Sequence, residues 1–195
     1  MQTTQEPRLV NIYTESNPNP NSLKFVANFM LIPEGISRDF PGIEATSEAP
    51  LAKALFENFD YVERVFYMSN FVTITKKEEI EWFEVKNDIQ QFIKSYLEES
   101  KSVLTENIAK TIDEELTGDD SEAKIKGVLE EYIRPAVEMD GGAIQFVSLV
   151  DGVVTVSLQG SCSGCPSSTI TLKSGIENLL KRMVPEVKEV VAENG

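Results

Sequence analysis

Cys162 and Cys165 are the only thiols in the chain, three residues apart in Gly160-Ser161-Cys162-Ser163-Gly164-Cys165-Pro166. They fall where an alternating apolar strand gives way to an amphipathic helix. Two thiolates at this spacing can grip a soft metal, but a structural zinc site takes about four nitrogen or sulfur donors and a cubane iron-sulfur cluster takes four thiolates. One chain is two ligands short of either. The same spacing also suits a redox dithiol, half of a zinc site, or two small buried residues. Thioredoxin-like pairs open a helix after the first strand of a βαβ unit, whereas this pair follows an antiparallel hairpin, which speaks against the redox use.

The residues around the pair suit a metal-binding loop. Pro166 fits the first helical position, where its missing N–H has no intrahelical partner to lose. Cys165 is then the candidate N-cap, facing free backbone N–H groups and the positive end of the helix dipole, which favour thiolate over thiol. Gly160 and Gly164 let the loop turn tightly, as directing two sulfurs to one point requires. Ser161, Ser163 and Ser167 offer hydrogen-bond donors to the sulfurs.

Composition removes other chemistries. The chain has 195 residues, is 41% hydrophobic and 26% charged, and contains no histidine. That length supports two small domains. Without histidine there is no Ser-His or Cys-His catalytic pair and no two-Cys two-His zinc site within the chain. A net charge of -14 argues against binding nucleic acid, since neutralising phosphates takes clustered Lys and Arg. No apolar run approaches the ~20 residues of a membrane span. Met1 to Val10 resembles neither a secretory signal nor an Arg-rich mitochondrial leader, and the expectation is a cytoplasmic protein with reduced thiols.

The pattern of elements is α+β, in two small domains. Residues 9–99 read as ββαββα with an antiparallel sheet. Leu9 to Thr14 and Leu23 to Leu31 are strand-like around the turn-forming Asn17-Pro18-Asn19-Pro20-Asn21. Leu51, Leu55, Phe56 and Phe59 recur at helical spacing behind Ser47 and Pro50. Val62 to Tyr67 and Phe71 to Thr75 flank a turn at Ser69-Asn70, and Trp82 to Glu98 is an amphipathic helix. Phe56, Phe59, Phe66, Trp82 and Phe92 are expected in a core. Residues 100–120 hold two lysines against six acids and read as an acidic linker, partly helical through Ile108, Ile112 and Leu116. Residues 121–192 read as αββαβ. A helix with capping-box spacing from Asp119 to Glu122 carries an apolar stripe of Ile125, Val128, Leu129, Tyr132 and Ile133. Met139-Asp140-Gly141-Gly142 stops it. Ile144 to Val150 and Val153 to Leu158 form a hairpin about Asp151-Gly152, the strongest short turn signal in the chain. The cysteine loop, a helix over Ser167 to Met183 and a last strand over Val187 to Val191 follow.

Residues 130–192 resemble the NifU-like C-terminal domain of the Nfu family. The resemblance runs through Ile133-Arg134-Pro135, Met139-Asp140-Gly141-Gly142, the cysteine loop with Ser167-Ser168, Thr171 to Glu177, and Pro185-Glu186-Val187. Residues 12–99 resemble the Nfu N-terminal domain through Asn17 to Phe25, Val65-Phe66 and Phe71 to Lys76. The sequence departs from the family pattern at Ala143 and Asn70, where acidic residues are frequent. The resemblance implies an iron-sulfur cluster scaffold or carrier. In it, two protomers form a homodimer on cluster binding, each supplying Cys162 and Cys165 to a bridging 4Fe-4S cluster. Upstream cluster assembly proteins and recipient apoproteins are the implied partners.

Overall fold

The computed structural model describes residues 9–33, 35–105, 120–163 and 166–194. The chain forms two compact units, and both are mixed α+β.

The first unit is a five-stranded antiparallel sheet of order β1-β2-β5-β4-β3. Its strands are β1 (Ile12–Ser16), β2 (Ser22–Ala27), β3 (Ser37–Phe40), β4 (Val62–Met68) and β5 (Phe71–Lys76). Two helices complete it, α1 (Pro50–Asn58) and α2 (Trp82–Glu98). Pro50 opens α1, where a missing N–H is harmless. Ser69 takes φ +49° between β4 and β5, which turns the chain back in two residues. Alternate residues on the central strands, Leu23, Phe25 and Ala27 on β2 and Val72 and Ile74 on β5, enter one buried cluster with Leu51, Leu55, Ile89 and Ile93 of the helices. Strand β3 was not expected, so ββαββα becomes βββαββα. Ser37-Arg38-Asp39-Phe40 carries one apolar residue and no alternation. Pairing with β4 and the Asp39–Arg64 ion pair hold it as an edge strand. Val103 is buried, Leu104 packs on the same core, and the Thr105 amide donates to the Glu48 carbonyl (3.0 Å). The acidic stretch beyond, with Ile108, Ile112 and Leu116, and the Asp119 cap lie outside the described residues.

The second unit follows the expected αββαβ order. Its first helical stretch has three parts: α3 (Asp120–Val128), a π-helical turn (Leu129–Ile133) and α4 (Arg134–Met139). The wide turn has a cause in Pro135, which has no N–H to give the Glu131 carbonyl and whose ring crowds that carbonyl. The wide turn also revises the expected stripe. Ile125, Val128 and Leu129 are buried and Ile133 packs on the core, but Tyr132 is half exposed. Strands β6 (Gly142–Val150) and β7 (Val153–Gly160) pair antiparallel, and β8 (Glu189–Asn194) pairs parallel to β7 after α5 (Pro166–Met183). The core is aliphatic: Ile125, Val154, Val156, Leu158, Ile176, Leu180 and Val190. Asp151 (φ +52°) and Gly152 (φ +85°) both take left-handed backbone, as a primed two-residue hairpin turn requires. Among the described residues no helix is long and apolar enough to cross a membrane.

Candidate functional site

Three pieces of the second unit meet at Cys162: the end of α4, the open end of the β6–β7 hairpin, and Thr171-Leu172 of α5. Helix α4 ends through an αL cap. The Asp140 amide donates to the Ala136 carbonyl (3.1 Å), the Gly141 amide to the Glu138 carbonyl (3.0 Å), and Gly141 has φ +78°. Opposite that turn, Gly142 of β6 pairs with Gly160 of β7. Gly160, at φ +64°, swings the chain out of the strand, and the Ser163 amide closes a tight turn on its carbonyl (3.1 Å). Cys162 lies inside this turn and is 5% exposed, against the aliphatic core.

The turn after α4 and the cysteine loop are stitched together by backbone. The Ser161 amide donates to the Gly141 carbonyl (3.3 Å), and the Ser161 hydroxyl donates to the Asp140 carbonyl. Ser161 Oγ and Cys162 Sγ are 4.0 Å apart. A hydroxyl has one proton, and here it goes to Asp140. Ser161 therefore tethers the loop instead of donating to sulfur, which revises the expectation from sequence. Ser163 is buried. Ala136, Val137, Asp140, Thr171 and Leu172 share a concave surface with Cys162. Cys165 and the side chain of Ser167 lie outside the described residues, and α5 begins at Pro166 as the N1 argument anticipates. Among the described residues no three His, Cys, Asp or Glu side chains gather in a way that could hold a metal ion.

From the sequence, Asp140-Gly141-Gly142 reads as a helix stop and as part of the family motif. It is a helix stop, and it is also the floor on which the cysteine loop rests. Strand register, the nearest signal in the sequence, points one residue off. Pairing begins at Val150–Val153 beside the turn, and counting straight back puts Ala143 opposite Gly160. A β-bulge between Phe146 and Ser148 adds one residue on β6, and Gly142 takes that place.

Comparison with known proteins agrees with this architecture. The model of the NifU-like domain matches residues 125–191, and that of the scaffold protein Nfu/NifU N-terminal domain matches residues 12–100. A Drosophila willistoni protein named NFU1 iron-sulfur cluster scaffold homolog, mitochondrial, is 41% identical over 185 residues, covering 94% of this chain and 63% of its own length. The Arabidopsis thaliana protein named NifU-like protein 5, mitochondrial, is 42% identical over 194 residues, covering 97% of this chain and 70% of its own. The solution NMR structure of a NifU-like protein from Saccharomyces cerevisiae is 26% identical with a TM-score of 0.46, over 55% of this chain and 92% of that one. The chain thus spans 63% of the length of the Drosophila relative. The relatives are named as mitochondrial proteins, which overturns the cytoplasmic expectation. That expectation rested on the composition of Met1 to Val10. With both domains matched in order and relatives similar along almost its whole length, the chain belongs to the Nfu/NifU family of iron-sulfur cluster scaffold proteins.

Proposed function

We propose that the protein holds a 4Fe-4S cluster as cargo between two protomers, each supplying Cys162 and Cys165, and passes it to recipient apoproteins. The observation that carries this reading is the ligand supply. A cubane takes four thiolates, each chain has two cysteines and no histidine, and a symmetric pair of chains brings the number to four. Residues 9–99 contain neither residue type, so the conventional ligands come from the second unit alone. The tethering of Ser161 to the turn after α4 supports the reading, because it fixes the backbone on which Cys162 is carried.

Handover on this reading is ligand exchange. Thiolates of the recipient replace Cys162 and Cys165 one at a time, and no oxidation state changes. A site divided between two chains suits a carrier, because retention then depends on protomer concentration and separation of the protomers exposes the cargo to competing thiols. The protein acts as a binding and transfer protein and not as an enzyme, loaded by upstream assembly proteins.

Anaerobic reconstitution with iron and sulfide, followed by Mössbauer spectroscopy and mass determination in solution, tests the reading. The expected product is a dimer with about four irons, and Cys162→Ser or Cys165→Ser abolishes uptake. A complete cluster on a monomer, or a sample that stays colourless and iron-free, refutes it.

A further inference from the structure

We infer that the Asp140–Gly142 turn is the positioning element for the Cys162 sulfur, and that Gly142 sets where the sulfur can stand. The inference deepens the reading of Cys162 as a cluster ligand and rests on it. A Cβ at Gly142 would stand 2.6 Å from the Gln159 carbonyl oxygen, 3.0 Å from Cys162 Sγ and 3.3 Å from the Cys162 amide nitrogen. Two of these neighbours are backbone and cannot swing aside as a flexible side-chain tip does. Gly127 in α3 and Gly175 in α5 have nothing within 4 Å of the same position. The missing side chain of Gly142 is thus space that the Gln159 carbonyl and the cysteine share.

Two further features act on the same point. Ser161, the residue before the cysteine, is held on the turn by its hydroxyl to the Asp140 carbonyl and its amide to the Gly141 carbonyl. The bulge at Val147 shifts the β6 register by one, so that a glycine and not Ala143 faces Gly160 beside the loop. Metal ligands must be aimed to within about 0.5 Å, and a Cβ 3.0 Å from Sγ asks the sulfur to give by a few tenths of an ångström. In a site shared by two copies, the error enters twice.

The test uses the full-length Cys165→Ser protein, in which Cys162 is the only thiol, and follows its alkylation by iodoacetamide at one pH without metal. Gly142→Ala in that background, shown folded by circular dichroism, is expected to react about tenfold faster, because the sulfur is displaced from its buried seat. Gly127→Ala is expected to leave the rate unchanged. If Gly142→Ala does not fold, Ser161→Ala loosens the same clamp without adding an atom, with an expected rise of about threefold. An unchanged rate in the folded variant overturns the inference. In the protein with both cysteines, Gly142→Ala is expected to take up about tenfold less iron on anaerobic reconstitution; faster alkylation with full iron loading also overturns it. If the wild type takes up no cluster, the proposed function fails, while the alkylation rates still decide whether the turn positions the sulfur.

Discussion

The first unit closes its core with rings, and the second closes its core with aliphatic side chains and, at one end, with bare backbone. Phe25 meets Trp82 edge to face at 6.2 Å, Phe40 meets Tyr67 at 5.0 Å, and Phe59 meets Phe92 at 5.3 Å, all in the first unit. The second unit instead packs Val, Ile and Leu behind a three-stranded sheet and places Gly141, Gly142 and Gly160 where the cysteine loop lies against it. Rings fill volume and fix neighbours by shape. Glycines give up side-chain burial so that two backbones can approach closely. The contrast teaches that stability and site geometry are built from different residue types here, so substitutions of the two kinds should fail in different ways.

The largest effect is expected from the rings. Phe25 is 1% exposed, and Phe25→Ala should destabilise the first unit by about 3–5 kcal/mol, through lost transfer energy and the cavity left behind. Trp82 is the chain's single tryptophan and lies against Phe25. Its fluorescence in a urea titration therefore reports the loss directly. A shift below about 1 kcal/mol would show that the site collapses around the gap and that the ring cluster is not what closes this core.

The glycines of the second unit sharpen the comparison, because they should change stability in opposite directions. Gly152 has φ +85°, and a Cβ there would stand 2.7 Å from the Glu186 carbonyl oxygen. Gly152→Ala should cost about 1–3 kcal/mol through backbone strain and clash. Gly127 and Gly175 lie exposed within helices with open space around them. Gly127→Ala and Gly175→Ala should each stabilise by about 0.5–1 kcal/mol, since the unfolded chain loses freedom and the helix gains a better former. Thermal melts of the three variants side by side read the signs. If all three move the same way, glycine placement in this unit is not governed by backbone conformation.

The same contrast explains what could be read in the sequence. Helix α2 was legible from its 3.6-residue apolar period, and the β6–β7 hairpin from Asp151-Gly152, because local pattern and tertiary role agree there. Strand β3 was not, since Ser37–Phe40 is held by its neighbour β4 and not by any pattern of its own. Cys162 stands out as the candidate ligand from its type and spacing. Its seat does not, because the seat depends on a bulge 15 residues upstream and on carbonyl groups of Asp140 and Gly141 that every residue type possesses. Tyr132 fits the expected apolar stripe by spacing, and the wide turn that Pro135 imposes carries it out of the core. Backbone-made features are the ones that residue identity conceals.

The smallest effect separates a surface charge from both kinds of core. On α5 the Glu177 carboxylate accepts from Lys181 Nζ (2.5 Å) and from the Val190 amide of edge strand β8 (3.1 Å). The lysine hydrogen bond first, and the strand amide second, hold its pKa below the ordinary 4.5. A carboxyl whose folded-state pKa is depressed contributes stability above its unfolded value and loses that contribution as pH falls through the folded value. Glu177→Gln should therefore be slightly less stable than wild type at neutral pH, and the gap should close in acid, once the pH has fallen through the lowered folded-state value. Salt should shrink it, because the pair is exposed to solvent. Urea titrations at the two pH values measure this. A gap that persists at low pH would mean that Glu177 acts through the shape of its contact with β8, as the rings and glycines do in their own places, and not through its charge.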